Sequence, residues 1–437
     1  MTTYPFTMFG ITEARPGARW QALFDATWPA YRRFHLSEGR DARPTRAEAE
    51  AALQTHMPEL HETWEQLVAL TGDDDDAAVF LTQWNLPAFA PAACSQVVAL
   101  DPAPALARNY DYAPGLFEQT SLSTDYRRPV LGTGDCLWGL LDGMNDAGLV
   151  VSLTFGGDRA HGEGFGIPLV LRYLLETCTD VEEAGRVLAR LPIAMTYNVT
   201  LLDATGASVT AHVGPDRPAE IRPVSCATNH RWTEPVDPAH AARYRSVERL
   251  DLLGGLQEEG ADADAMVAAL LEAPLYTRDY AHGFGTVFTA DYRPAEGTLT
   301  YRWPGIVWER RFDSPDATVD VILGDADTWS TMPNLDAPDP AATPDRPGAT
   351  AAAEPVAELP ADWADRSSAD LAALVRAGID ELARRGSGEG FALLTGLSGH
   401  VGLALGESAR RIAEQGSWAQ VAALSGTTKQ AAWARWH

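Results

Sequence analysis

Residues 336–360, DAPDPAATPDRPGATAAAEPVAELP, set the first limit on what this chain can fold into. A run so rich in proline, alanine and acid has nothing from which to build a core, and a flexible linker is expected there. It splits the 437 residues into a long N-terminal part and a short segment, 361–437, that reads as helical. The length exceeds one ordinary core, so two or three units are expected. No internal repeat is evident.

The long part changes character near residue 93. Before it, Ala18–Phe34 and Thr45–Leu70 carry apolar residues at helical spacing, and residues 1–93 read mostly as helix. Thr45, with Glu48 three residues on, predicts a helix cap. Asp73–Asp76 reads as a solvated turn, since a calcium loop needs spaced ligands and a glycine. After residue 93 short strands and turns dominate. Gln96–Leu100 reads as a strand. Leu137–Leu141 and Leu149–Thr154 read as a hairpin turning through Asp142–Asp146. Helices are expected at Pro168–Cys178, Val181–Leu191, Ala239–Leu253 and Ala263–Ala273. Further hairpins are expected over 199–212 and 286–303. Strands interleaved with helix pairs imply layers, with helices outside and strands inside.

Charge and cysteine usage narrow the function classes. With 34 basic and 60 acidic residues the net charge is −26, which opposes nucleic acid and anionic membrane; solubility is the simplest reading. Almost all the basic residues are arginine, with Lys429 the only lysine, and the alanine content is high, as in a chain from a GC-rich genome. No run is long enough to cross a membrane, and residues 1–20 carry no signal-peptide core. Cys94, Cys136, Cys178 and Cys226 are far apart and form no CxxC pair, which argues against a zinc site and a disulfide framework. A cytoplasmic enzyme with free thiols is expected, with no cofactor and no metal.

One cysteine stands apart. Cys94 lies just ahead of a strand, and Arg108-Asn109-Tyr110-Asp111 follows after a turn, so a hairpin would bring a guanidinium and a carboxylate beside one thiol. A thiol with pKa about 8.5 needs a base, and no Cys–His signature is present. An α-amine, pKa about 7.7–8.0, can serve if Cys94 becomes a chain terminus. Attack of the thiol on the Ala93 carbonyl would give a thioester and free that amine.

Six motifs then occur in order: Cys94-Ser95-Gln96, Arg108–Asp111, Asp142–Leu149, Asn198–Asp203, Thr228-Asn229-His230 and Tyr244–Arg249. Over Cys94–Phe312, about half the chain, this resembles the self-cleaving acyl-coenzyme A:6-aminopenicillanate acyltransferase family. It is similar, more distantly, to choloylglycine hydrolases and penicillin V acylases. The resemblance implies an α+β fold, the four-layer αββα sandwich of N-terminal-nucleophile (Ntn) hydrolases, with a helical N-terminal segment (1–93) released or retained after cleavage. The catalytic domain would span 94–335, followed by the linker 336–360 and a small all-α domain, 361–437. It implies hydrolysis or transfer of an acyl group from a linear N-acyl amide, with water, an amine or an acyl-coenzyme A in the second step. Cys94 would be the nucleophile, its amine the base, Asp111 the holder of that amine, and Arg108 the neighbour of the thiolate. The Asn229 amide would donate to the oxyanion. Asn198 would support the strand or the oxyanion pocket, and Arg249 would order the site or meet a substrate carboxylate. The departure is Ala93 where the family often has glycine, which puts the rate of cleavage in question.

Plainer readings stand beside these. The other three cysteines read as small buried apolar residues. Asn145 reads as a turn residue. Arg245 and Arg249 share a helical face, and an ion pair with Glu248 would explain one of them. A Cys–His hydrolase using His230 or His212, without maturation, is a distinct alternative. The last segment, Ser417–Trp433, resembles a helix-turn-helix, with Gly426 at the turn and Thr428–Trp436 as recognition helix offering Lys429, Gln430 and Arg435. This makes 417–436 a candidate DNA surface and a ligand-sensing regulator an alternative function. Yet residues 361–437 hold 7 Arg and 1 Lys against 4 Asp and 4 Glu, no surplus for phosphate. A homo-oligomer, a dimer, with locally placed Lys429 and Arg435 could still bind DNA.

Overall fold

The computed structural model describes residues 3–89, 92–215, 217–232, 237–280 and 283–324, with Val375, Arg384 and Ser417. The expected linker and all of the helix-turn-helix-like segment but Ser417 lie outside the described residues. The chain divides into two units, Met1–Pro333 and Asn334–His437. The N-terminal helices therefore fold in the same unit as the sheets.

That unit opens with a strand, β1 (Tyr4–Thr12), then helices α1 (Ala18–His35), α2 (Arg46–His56), α3 (His61–Leu70) and α4 (Asp75–Thr82). Strands follow: β2 (Ala93–Ala99), β3 (Ala105–Tyr112), β4 (Thr120–Asp125), β5 (Pro129–Asp135), β6 (Gly139–Asn145) and β7 (Val150–Phe155). Next come α5 (Ile167–Thr177), α6 (Val181–Leu188), β8 (Tyr197–Leu202), β9 (Ser208–Val213), β10 (Glu220–Arg222) and β11 (Cys226–Ala227). The unit closes with α7 (Pro238–Arg243), α8 (Ser246–Glu258), α9 (Ala263–Leu270), β12 (Gly285–Arg293), β13 (Thr298–Trp303), β14 (Ile306–Arg311) and β15 (Ala317–Leu323).

Among the described residues these strands form two sheets. One has nine strands in the order β10-β9-β8-β7-β6-β5-β4-β1-β15, and the other six in the order β11-β2-β3-β12-β13-β14. Every pair is antiparallel except β1 with β4. Helix α5 packs on β6 and α6 on β9, while β2 packs on β7 and α8 and α9 cover β2 and β3. The order is helix, sheet, sheet, helix: an α+β αββα sandwich. The central strands are covered on both faces, which is why β2, β6, β7 and β8 are buried along their whole length.

The N-terminal helices are held by a ladder of rings. Trp20, Phe24 and Trp28 on one face of α1 stack at centroid spacings of 5.5 Å, the meeting of side chains four apart on a helix. Trp138, ahead of β6, donates its indole N–H to the Leu81 carbonyl at the end of α4 at 2.9 Å.

Four expectations need correction. Residues 4–12 form a strand rather than part of a helical segment, because β15, at the other end of the unit, pairs with them. The single helix expected over Thr45–Leu70 is two: Pro58 cannot supply the N–H that would continue α2, and α3 starts afresh at His61. Thr45 and Glu48 do make the reciprocal capping box at the start of α2. Asp73–Asp76 is a solvated turn only at its start: Asp73 is exposed, Asp74 caps α4, and the buried Asp76 is paired with Arg32 and Arg40. The helix expected over Ala239–Leu253 breaks at Arg245, whose φ of 53° is left-handed, so α7 and α8 are separate elements.

Candidate active site

Strands β2 and β3 form the hairpin on which the site is built. Ala93 lies opposite Asp111, Cys94 opposite Tyr110, and Gln96 opposite Arg108. Alternate residues of a strand face opposite sides, so the hairpin carries two sets of groups. Cys94, Gln96, Arg108 and Tyr110 face the nine-stranded sheet, where the Gln96 amide donates to Thr200 Oγ1 at 2.7 Å. Ser95, Asn109 and Asp111 face α8 and α9, and the Asn109 amide donates to the Leu270 carbonyl at 2.7 Å.

On the inner face, Arg108 Nη2 donates to Cys94 Sγ at 3.3 Å. Its Nη1 donates to Asp142 Oδ2 and to the Leu141 carbonyl, both at 2.9 Å. Asp142 accepts in turn from Thr133 Oγ1 at 2.5 Å and from the Tyr292 hydroxyl. Cys94, Arg108 and Asp142 are all fully buried. Burial pushes the Cys94 thiol up, and the positive charge of Arg108 opposes that push.

The outer face organises the backbone of Cys94. Arg249 Nη1 donates to the Cys94 carbonyl at 2.5 Å and to Ser95 Oγ at 2.7 Å, and Nη2 donates to Asn229 Oδ1 at 2.7 Å. The same Oδ1 accepts the Cys94 backbone N–H at 2.9 Å. The break at Arg245 matters here: Arg245 turns outward onto Glu248, while Arg249 enters the site. Asp111 Oδ1 accepts from Thr286 Oγ1 at 2.7 Å, whereas its Oδ2 is buried with no hydrogen-bond partner, 3.8 Å from Arg249. Burial pushes the Asp111 carboxyl up to about 6, against the pull of Arg249, Thr286 and Arg108.

That last shift makes stability depend on pH. An aspartate titrates near 3.9 when unfolded, so the folded chain holds an extra proton between that value and about 6. The resulting stability is complete below the unfolded value and is lost as pH rises through the folded one. In an uncleaved Cys94→Ala background, Asp111→Asn removes this titration. The variant should gain on its parent between pH 4 and 7 by on the order of 2 kcal/mol in urea unfolding. A pH-independent difference would contradict the assigned burial of an ionisable Asp111.

The asparagines divide the remaining work. Asn229 presents its carbonyl oxygen to Cys94 and gives one amide hydrogen to the Phe155 carbonyl at 3.2 Å, leaving the other for a further acceptor. Asn198 makes no hydrogen bond to Cys94 among the described residues. Its amide donates to the Thr228 and His230 carbonyls at 2.9 and 3.1 Å, pinning the loop that carries Asn229. His212 Nδ1 lies 2.8 Å from Asn198 Oδ1, and His230 Nδ1 lies 3.1 Å from Ser246 Oγ. Burial lowers both, His212 to about 4. Among the described residues the side-chain partner of the thiol is Arg108, not a histidine. Asn145 ties the turn after β6 to the end of α5 and takes no part in the site.

Sequence reasoning missed Asp142. It stands in a motif that was legible, but Gly143 and Asn145 made Asp142–Asp146 read as a turn. The turn in fact begins after Asn145, so Asp142 is a strand residue whose side chain faces β3.

A cavity of about 530 Å³ adjoins the hairpin. It is lined by Ala92 and Phe89 before Cys94, by Tyr110 and Tyr112 of β3, by Phe155, and by Tyr31 of α1. The segment just before the Ala93–Cys94 bond and the strand paired with Cys94 thus line one pocket. No group of three or more His, Cys, Asp or Glu side chains able to hold a metal ion occurs among the described residues. None of the described helices is long and apolar enough to cross a membrane.

Residues 100–306, a little under half of the chain, match the family model described as acyl-coenzyme A:6-aminopenicillanic acid acyl-transferase. The match spans Arg108, Asp111, Asn198, Asn229 and Arg249 and begins after Cys94. Among solved structures the chain is similar to penicillin V acylase from Agrobacterium tumefaciens, with 17% identity, 50% of this chain and 86% of that one covered, and a TM-score of 0.35. It is also similar to a mutant of conjugated bile acid hydrolase from Clostridium perfringens, with 14% identity, 52% and 96% covered, and a TM-score of 0.31. A third is the Caenorhabditis elegans ortholog of N-acylethanolamine-hydrolyzing acid amidase, with 18% identity, 46% and 93% covered, and a TM-score of 0.34. No curated protein matches the chain.

Proposed function

We propose, with the family resemblance of residues 100–306 as the premise, that this protein is a self-cleaving cysteine amidohydrolase or acyltransferase that works through an acyl-thioester on Cys94. The observation that carries the reading is the buried Asp111 Oδ2. It is a carboxylate oxygen without a hydrogen-bond partner, on the residue paired across the sheet with Ala93. A buried carboxylate oxygen with no hydrogen bond, and with Arg249 no nearer than 3.8 Å, is incompletely compensated. A new α-ammonium at Cys94 would satisfy it.

In maturation the Cys94 sulfur bonds to the Ala93 carbonyl carbon, the Ala93–Cys94 C–N bond breaks, and the thiol proton passes to the departing amine. Water then cleaves the thioester, restoring the thiol and leaving a carboxylate on Ala93. On the Cys94 side of the bond to be broken, Arg249 and Asn229 grip the carbonyl and the N–H. This keeps the nucleophile and its future amine in place while the Ala93 side is released.

In turnover the free amine takes the thiol proton, and Arg108 steadies the thiolate. The thiolate attacks the substrate carbonyl carbon, and the remaining amide hydrogen of Asn229 is available to the oxyanion. Collapse expels the amine with the proton, and water or an acceptor amine releases the acyl group from sulfur. The N-terminal segment stays as part of the working enzyme, because β1 lies between β4 and β15 and α1 walls the cavity. The test is amine release from a panel of N-acyl amides by wild-type protein and by Cys94→Ala. Amine release by the wild type alone supports the reading, and equal release by both overturns it.

A further inference from the structure

The far end of the cavity has a composition unlike its walls. Eight aromatic side chains line it, yet two carboxyls, Glu118 and Asp135, stand among them, and none of its described lining residues is basic. The Tyr31 hydroxyl lies between the two acids, 2.6 Å from Glu118 Oε2 and 3.2 Å from Asp135 Oδ1. A phenol has one hydrogen, and the shorter bond takes it. Glu118 is further supplied by the Leu137 N–H at 2.8 Å and by Thr120 Oγ1 at 3.0 Å. Asp135 has the weaker share of that phenol together with the backbone N–H and thiol of Cys136, all of them neutral donors. Neither acid has an ion pair among the described residues, so the protein supplies no cation for this end of the pocket.

A second observation is independent of the acids. Tyr110 is only 6% exposed and lines the cavity. It pairs across the sheet with Cys94. The negative charge of Asp135 reaches Tyr110, Tyr112 and Tyr197, and each of these phenols also feels the Cys94 thiol. All three phenols line the same cavity as the acid pair, and Tyr110 ties that cavity to the strand of the nucleophile. A ligand in the cavity meets ring faces along its walls and, at the far end, a pair of carboxyls that have no cation partner among the described residues. Ring faces and a carboxylate together favour an ammonium group, which gains from both and leaves no buried cation behind when it departs.

We propose that the cavity selects an acyl group with an apolar body and a terminal ammonium, seated at Asp135 and Glu118 when the acyl carbonyl is at Cys94. This deepens the amidase reading and rests on it for the reaction, though the ammonium site itself does not depend on turnover. Glu118 and Asp135 act on specificity and not on the thiol, so the effect of changing them belongs in the choice between acyl groups.

The test has two arms. In the first, wild-type protein is assayed with p-nitroanilides of 6-aminohexanoic and heptanoic acids, which differ by an ammonium in place of a methyl. The aminohexanoyl substrate should have at least about tenfold higher kcat/KM, and Asp135→Asn should bring the ratio near one. In the second, hexylammonium and 1-hexanol are titrated into Cys94→Ala protein by calorimetry, with the pocket otherwise unchanged. Preferential binding of hexylammonium by about tenfold or more supports the site even if no anilide is hydrolysed, a result that would fail only the amidase reading. Hydrolysis of the heptanoyl substrate at an equal or higher rate, or equal binding of hexanol, overturns the inference and leaves the amidase reading intact. An undiminished ammonium preference in both Asp135→Asn and Glu118→Gln would overturn it as well.

Discussion

Replacing Cys94 with alanine should abolish amide turnover, lowering kcat by roughly 10⁴-fold or more, the scale seen when a covalent nucleophile is removed. The size follows from what the residue is proposed to do twice. Its sulfur makes the acyl bond, and its amine, once exposed, is the base; Cys94→Ala deletes the first and prevents the release of the second. Cys94→Ser is the sharper companion. It keeps the shape and offers a hydroxyl, but its higher pKa makes a poorer nucleophile under the same amine. The expected order is wild type far above serine, and serine at or above alanine. Folding should survive both changes, since each replaces a buried side chain by one of nearly equal size. A Cys94→Ala protein with wild-type kcat would place the chemistry elsewhere.

The second large effect is on stability. Asp142→Ala removes the only ion-pair partner of Arg108 among the described residues and leaves a fully buried guanidinium facing a neutral thiol. Breaking one side of a buried pair costs about 3–5 kcal/mol, because the orphaned charge stays desolvated. The Thr133 and Tyr292 hydroxyls lose their acceptor at the same time. Asp142→Asn keeps the shape and part of the hydrogen bonding and should cost less than alanine. The measurement is the midpoint of urea unfolding at neutral pH for all three proteins. A loss below about 1 kcal/mol for Asp142→Ala would mean that water or a rearranged neighbour compensates Arg108.

How much of this was legible in the sequence can be judged residue by residue. The β2–β3 hairpin was readable because two strand-like runs flank a short turn containing Pro102 and Pro104, and local chemistry decides such turns. The capping box at Thr45 was readable for the same reason. The expected layers came from alternation of strands and helices, and the sandwich has that order. What failed was set by distant partners. β1 is half exposed along much of its length, and only β15 and β4 make it a strand. Asp76 looked solvated within an acidic run, and Arg32 and Arg40 bury it. Asp142 was assigned to a turn by its neighbours Gly143 and Asn145, while Arg108, 34 residues away, gives it its place. The glycine has its own reason: a Cβ at Gly143 would approach Leu175 of α5 to 2.8 Å. Asp135 and Glu118 carried no motif at all. Their significance lies in a cavity assembled from α1, β3 and the strands around them, which no local pattern describes.

The central claim is that Cys94 becomes a chain terminus by its own action, and intact mass tests it most directly. Purified wild-type protein and Cys94→Ala would be measured side by side. The account predicts two fragments from the wild type, divided between Ala93 and Cys94, and one uncut chain from the variant. A single uncut mass for a wild-type protein that nonetheless releases amine from N-acyl amides would contradict it.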